Sequence, residues 1–183
     1  MVTDDRAVPL DLAAFNHATP EEVRPVLAAC LAVPRWVDAV LAGRPYPDRE
    51  ALFTSARFHL GAQPPDPHWG QAPRPPEKAR LTPPEIRRAV AAHPRIGERT
   101  TGASAAEQSG VDSAAAERFR VANAEYERRF GHVYLVCASG RDGDELLADL
   151  TSRLDHDPET ELEVAGRELA KIALLRLAKA VTT

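Results

Sequence analysis

The chain has 183 residues, of which 44% are hydrophobic and 27% charged, with a formal net charge of −4. At this length folding removes roughly 70% of the unfolded chain's accessible surface, enough for one ordinary domain with a sizeable core, so global disorder is excluded. The negative balance and the low aromatic content (5%) argue against nucleic acid, stacked single strands or an acidic membrane surface as the partner.

In chain order, the first ten residues hold no long apolar stretch, so no signal peptide is expected. Thr19-Pro20-Glu21-Glu22 reads as a helix start, with hydroxyl cap, proline in the first turn and carboxylate at the third position. Val23, Val26, Leu27, Cys30 and Leu31 continue it as one apolar stripe. A short helix through Trp36, Val37, Val40 and Leu41 stops at Gly43, and Asp48 caps a third that runs through Leu52 and Phe53 to about Leu60. Residues 61–84 are dense in proline and read as a long loop, either a lid or an insertion. Thr82-Pro83-Pro84-Glu85 opens a helix to Ala92, ended by His93-Pro94, because a residue before proline is pushed out of the α region. After a polar loop, Ser104 and Glu107 form another capping signature, and Gly110 breaks the pattern. A helix from Asp112 or Ser113 to Phe130 follows, with Phe119, Ala122, Tyr126 and Phe130 on one face and Gly131 as its stop.

The apolar run from Val133 to Ala138 is either extended or a buried connector. Helices then run from about Gly143 to Leu154 and from Pro158, capped by Asp157, to about Val181. With one strand at most there is no βαβ alternation. The expected class is all-α, a single-domain helical bundle of about seven to nine helices over residues 1–183. Cys30 and Cys137 lie in apolar runs without ligand spacing and are expected to be buried thiols. No run of 18 apolar residues is present, and a soluble, cytoplasmic protein is expected.

Phosphate-loop, dinucleotide, zinc-protease and nucleophile-elbow motifs are all missing, and no two of the six histidines share a helical turn. The notable stretch is HPRIGERTTGASAAEQ, His93 to Gln108. A histidine fixed between a helix end and a proline titrates near neutrality and suits proton transfer; it equally suits a C-terminal helix cap. Ser104 and Glu107 are spaced as a plain capping box, which also lines any adjacent cavity, while Gln108 adds an amide that donates and accepts. Arg176 lies among Ile172, Leu175 and Leu177, where a snorkelling arginine is the ordinary explanation.

Taken together, HPRIGE, the SxxEQxG of Ser104 to Gly110, and a helix ending in RFGxxYLVCA resemble the OHCU decarboxylase family. OHCU is 2-oxo-4-hydroxy-4-carboxy-5-ureidoimidazoline, between urate and allantoin. Phe15-Asn16, the Cys30 helix, Trp36, Arg44-Pro45-Tyr46, Asp157-Pro158-Glu159 and KIALLRL (Lys171 to Leu177) extend the likeness over nearly the whole chain. The resemblance implies a helical, commonly dimeric enzyme that needs no metal and no organic cofactor. It implies that His93 and Glu107 are catalytic, and that Pro94, Ser104, Gln108, Arg176 and the backbone of Leu135 and Val136 bind substrate. One departure is Gly131-His132-Val133-Tyr134, where the family has an apolar stretch; His132 is then a loop histidine or tunes substrate preference.

The chemistry suits such a residue set. The carboxylate of OHCU neighbours a ring imine that accepts the electrons released with CO2, so no separate electron sink is required. The expected function is therefore conversion of OHCU to (S)-allantoin, with His93 and Glu107 handling protons. Three other readings compete: a non-catalytic module binding a ureide, a purine metabolite or a partner protein; a decarboxylase or hydrolase of a related ureidoimidazoline; and a metalloenzyme.

Overall fold

The computed structural model describes residues 9–62, 79–93, 95 and 113–183. Among them are eight helices and a minimal pair of two-residue strands, an all-α fold. The chain divides into two compact units, one built on Pro83–Leu169 and the other on the chain up to Thr82 together with Ala170–Thr183.

In the second of these units, β1 (Leu10–Asp11) runs into α1 (Leu12–His17), whose N-terminus Asp11 caps by accepting from the Ala14 N–H at 2.7 Å. α2 (Pro20–Cys30) carries the full capping box between Thr19 and Glu22, as its sequence predicts. α3 (Pro34–Ala42) and α4 (Arg49–Phe58) follow, the latter capped by Asp48 through the Ala51 N–H at 2.7 Å, a bond worth about 1 kcal/mol. Gly43 does end α3, but in right-handed geometry (φ −78°), where any residue fits. Glycine is needed there because a Cβ would collide with the Tyr46 hydroxyl. That hydroxyl donates to the Val40 carbonyl at 2.8 Å.

Two elements of the family resemblance interlock here. Asn16 and the Tyr46 backbone exchange a pair of hydrogen bonds (2.8 and 2.9 Å), and Arg44 donates to the carbonyls of Phe15 and Ala18 (2.7 and 2.8 Å) while lying over the Phe15 ring. Trp36 is fully buried and donates to Ala56. Of the proline-rich stretch, residues 63–78, Trp69 among them, lie outside the described residues. Its downstream end is held by Arg35, which donates to the carbonyls of Ala79 and Arg80 (3.5 and 3.2 Å).

In the Pro83–Leu169 unit, α5 (Pro83–Ala91) is one residue shorter than the sequence predicts. α6 (Ser113–Phe130) ends at Gly131, whose φ of +73° is the left-handed stop that glycine supplies. Residues 133–138 form no regular element: the apolar run is a buried connector. α7 (Gly143–Arg153) opens with a capping box between Asp142 and Glu145, and α8 (Pro158–Ala180) with Asp157 accepting from the N–H groups of Glu159 and Thr160 at 3.0 Å. Phe119, Tyr126, Tyr134, Val136, Ala138, Leu146, Leu147 and Leu150 form one buried cluster.

Some expectations need correction. The last helix stops at Ala180, because Val181–Thr182 leaves it as β2 and pairs in parallel with β1. The strands thus come from the two chain ends, and the expectation of one strand at most gives way to this short pair. Cys30 is buried, but Cys137 is only half-buried.

Candidate active site

His93 lies two residues beyond the last residue of α5. Its backbone N–H donates to the Val90 carbonyl at 2.9 Å, and its Nδ1 lies 2.9 Å from the Ala89 carbonyl. A carbonyl oxygen only accepts, so Nδ1 carries the proton of that bond and Nε2 is the unprotonated nitrogen of the neutral ring. Nε2 is shielded from solvent although the residue as a whole is half-buried. The helix-cap reading of His93 is what these contacts show: one ring nitrogen bonds a carbonyl at the end of α5 and thereby orients the ring. Two residues on, Arg95 grips Glu127 of α6 with both branches of its guanidinium, at 2.5 and 2.9 Å. The chain is thus clamped on both sides of Pro94, which itself lies outside the described residues, as do Ser104, Glu107 and Gln108.

Leu135 and Val136 are each 4% exposed. Beneath them sits a network that the sequence reading missed. Arg153, at the end of α7, donates to the Leu135 carbonyl at 2.9 Å, and its Nε and Nη2 both engage Glu161 of α8, Nε at 2.9 Å. Tyr126 donates to the same carboxylate oxygen of Glu161, and His156 approaches the other at 2.8 Å. The Arg153 guanidinium lies 4.8 Å over the Tyr134 ring, and Tyr134 donates to Asp149 at 2.6 Å. Two turns further along α8, Glu168 accepts from the Cys137 N–H at 2.8 Å. Arg153 is 4% exposed and Glu161 not at all.

The network fixes its own protonation. Burial, reinforced by hydrogen bonds to carboxylates, pushes the hydroxyls of Tyr126 and Tyr134 well up, so both remain donors. Burial pulls Arg153 down, but the Glu161 carboxylate and the two tyrosines outweigh it and hold the guanidinium above its ordinary value.

His132 is half-buried, edge-on to Tyr126 with ring centroids 5.6 Å apart and stacked on Phe130 at 6.3 Å, with Nδ1 3.1 Å from the Val133 carbonyl. Arg176 belongs to the other unit, half-buried on α8. It reaches the Ala29 carbonyl in the last turn of α2 at 3.5 Å, where a cation complements the helix C-terminus. Burial pushes the neighbouring Cys30 thiol up to about 12, with Arg176 pulling the other way.

Among the described residues no group of three or more His, Cys, Asp or Glu side chains is placed to hold a metal ion, and no helix is long and apolar enough to cross a membrane. Within the Pro83–Leu169 unit the described residues thus supply a histidine held through Nδ1 and a rigidly held apolar backbone segment; Arg176 belongs to the other unit.

Comparison with known proteins places the chain in a family. The family model for OHCU decarboxylase matches residues 16–178. The chain is 35% identical over 103 residues to the uric acid degradation bifunctional protein TTL of Arabidopsis thaliana, a match covering 50% of this chain and 32% of that protein. It is 37% identical over 95 residues to the 2-oxo-4-hydroxy-4-carboxy-5-ureidoimidazoline decarboxylase of Haloferax volcanii, covering 48% and 56%. The chain thus spans about a third to somewhat over half of these relatives' own lengths. Among solved structures, an OHCU decarboxylase crystallised in the presence of (S)-allantoin superimposes with a TM-score of 0.63 at 25% identity, covering 88% of this chain and 97% of that one. An (S)-allantoin synthase shares the fold at a TM-score of 0.64 and 17% identity, covering 95% and 55%. With the family model spanning all but the two ends of the sequence, this chain belongs to the OHCU decarboxylase family.

Proposed function

We propose that the chain decarboxylates OHCU to (S)-allantoin within urate degradation. The observation that carries this is His93: its Nδ1–H is committed to the Ala89 carbonyl, which leaves a shielded Nε2 as a proton carrier of defined position. The bond between the ring carbon and the carboxylate breaks, CO2 leaves, and the electron pair moves into the adjacent ring C=N, whose nitrogen takes a proton. The resulting enol loses its hydroxyl proton as the neighbouring ring carbon is protonated from one face, giving one hand of allantoin. His93 moves protons in this sequence with Glu107 as its partner. Ser104, Gln108 and Arg176 bind the carboxylate and ureido groups, Pro94 lines the site, and the backbone of Leu135 and Val136 contacts the ring. The imine is its own electron sink, so the reaction needs neither metal nor organic cofactor. We take the enzyme to act as a homodimer in the cytoplasm.

The test generates OHCU in place from urate with uricase and hydroxyisourate hydrolase, and follows circular dichroism as the protein is added. Rapid growth of a one-handed allantoin signal is expected. In a folded His93→Ala variant it falls by about 10²- to 10⁴-fold, the usual worth of a positioned acid–base group. A wild-type protein that leaves the spontaneous, racemic decay unchanged overturns the proposal and favours a ureide-binding module.

A further inference from the structure

Arg153, Glu161 and Glu168 take no part in the reaction written above, yet they are among the most deeply buried charged groups described. Burying an ion pair is a poor way to gain stability. Desolvation takes back several kcal/mol per ion, and apolar replacements of similar size are commonly neutral or stabilising. What the pair does hold is the chain. Arg153 takes the Leu135 carbonyl, and Glu168 takes the Cys137 N–H. These are one half each of two successive peptide groups, Leu135–Val136 and Val136–Cys137. Among the described residues the one cis peptide is elsewhere, at Arg44–Pro45, so both of these are trans. In a planar trans peptide the carbonyl and the N–H point in opposite directions. Holding the first carbonyl toward Arg153 therefore aims the Val136 N–H the other way, and holding the second N–H toward Glu168 does the same for the Val136 carbonyl.

We infer that Arg153, seated on Glu161, and Glu168 are positioning residues that present the Val136 N–H and carbonyl as a fixed donor–acceptor pair for the cyclic ureide edge of the substrate. An edge of that kind offers one carbonyl and one N–H side by side, so two hydrogen bonds orient the ring before the carboxylate leaves. Tyr126 and His156 keep the Glu161 carboxylate in place, and Tyr134 and Asp149 flank the guanidinium. This inference rests on the decarboxylase reading proposed above.

The experiment compares wild type with a triple variant, Tyr126→Phe, Arg153→Met and Glu161→Leu, which removes the buried ion pair and the phenol bonded to it together, so that no buried charge is left unpaired, and frees the Leu135 carbonyl. A second pair, Glu168→Gln and Glu168→Leu, keeps or removes the acceptor for the Cys137 N–H. The in-place OHCU assay reads KM, kcat and the handedness of the product, with thermal unfolding run alongside. The triple variant is expected to unfold near the wild-type temperature, with KM raised about tenfold, the worth of one misplaced hydrogen bond. Its allantoin loses part of its handedness. Glu168→Leu shows the same change and Glu168→Gln restores the wild-type KM. If the triple variant does not fold, the Glu168 pair decides alone. Wild-type KM and handedness in folded Glu168→Leu or in the folded triple variant overturn the inference while leaving the decarboxylase standing; an inactive wild type overturns both.

Discussion

Helix α5 delivers His93, and its seat against α8 depends on a residue with no side chain. At Gly166 a Cβ would lie 2.8 Å from the Cδ1 of Ile86, well inside ordinary carbon–carbon contact, and 3.4 Å from its Cγ1, at the near edge of it. Gly166 sits in the interior of a 23-residue helix, where alanine is better than glycine by about 1 kcal/mol. In the wild-type background that gain is opposed. Ile86 is 6% exposed and stiff at χ1, so Cδ1 must turn away, at about 0.5–1.5 kcal/mol for an off-rotamer χ2, while Cγ1 remains at ordinary contact distance. Gly166→Ala alone is therefore expected to be neutral to slightly destabilising. Ile86→Val removes Cδ1 and by itself costs about 0.5–1.5 kcal/mol. In that background the new methyl enters the vacated space and the helix gain appears in full, so Gly166→Ala becomes stabilising by about 1 kcal/mol. Urea unfolding at constant m-value measures all four proteins, and turnover measured on the same samples shows whether His93 has moved. An equal effect of Gly166→Ala in both backgrounds would refute the claim that close approach, and not helix geometry, requires glycine here.

The two thiols should separate cleanly. With Cys30 buried and pushed up to about 12, and Cys137 half-buried, a disulfide reagent near pH 8 should modify one thiol in the native protein and the second only in denaturant. Native labelling of Cys30 ahead of Cys137 would contradict their placement. Acid stability should follow the helix-start carboxylates. Hydrogen bonds from Thr160 hold Asp157 below its ordinary 3.8, and those from Thr19 hold Glu22 below 4.5. A depressed folded value means that the stabilisation is whole above the unfolded value and is lost as pH falls through the folded one. Asp157→Asn keeps the cap acceptor but does not titrate, so its urea midpoint should fall less than that of wild type between about pH 5 and about pH 3. Parallel curves would show that the cap does not feel the charge.

What the sequence shows well is local. The capping box of Thr19 and Glu22, the caps Asp48 and Asp157 and the left-handed stop at Gly131 each depend on residues within a turn of one another, and all appear as read. Gly43 shows the limit. Its position as a stop is visible, but its reason, the Tyr46 hydroxyl, belongs to tertiary contact. α1 is six residues long, too short for a periodicity to declare itself, and β1 meets β2 across almost the whole chain in pairs of two residues. At His93 the residue type was visible and the ring's contacts were not. The proline after His93 marks the residue, but only the structure shows that the Ala89 carbonyl selects Nε2.

The buried network did leave a trace in the sequence, though one that periodicity treats as an interruption. Leu146, Leu150 and Arg153 fall on one helical stripe, and so do Glu161, Ala165, Glu168 and Ile172. Charged residues at core positions weaken any count of apolar matches, so the stripe is scored as imperfect. Physically the same fact points elsewhere. A charge on the buried face of a helix must have a partner, since an unpaired one would cost several kcal/mol. The partners of Arg153 and Glu168 are backbone groups of a segment with no ladder of its own to satisfy them. An irregular apolar run therefore needs such charges from neighbouring helices to have a single conformation. Here a short apolar run without helix or strand partners precedes two helices that each place a charge on an apolar stripe, and the charges and the run are parts of one device. The pattern stands in residues 133–168; what tertiary structure adds is which peptide group each charge holds, the Leu135 carbonyl by Arg153 and the Cys137 N–H by Glu168.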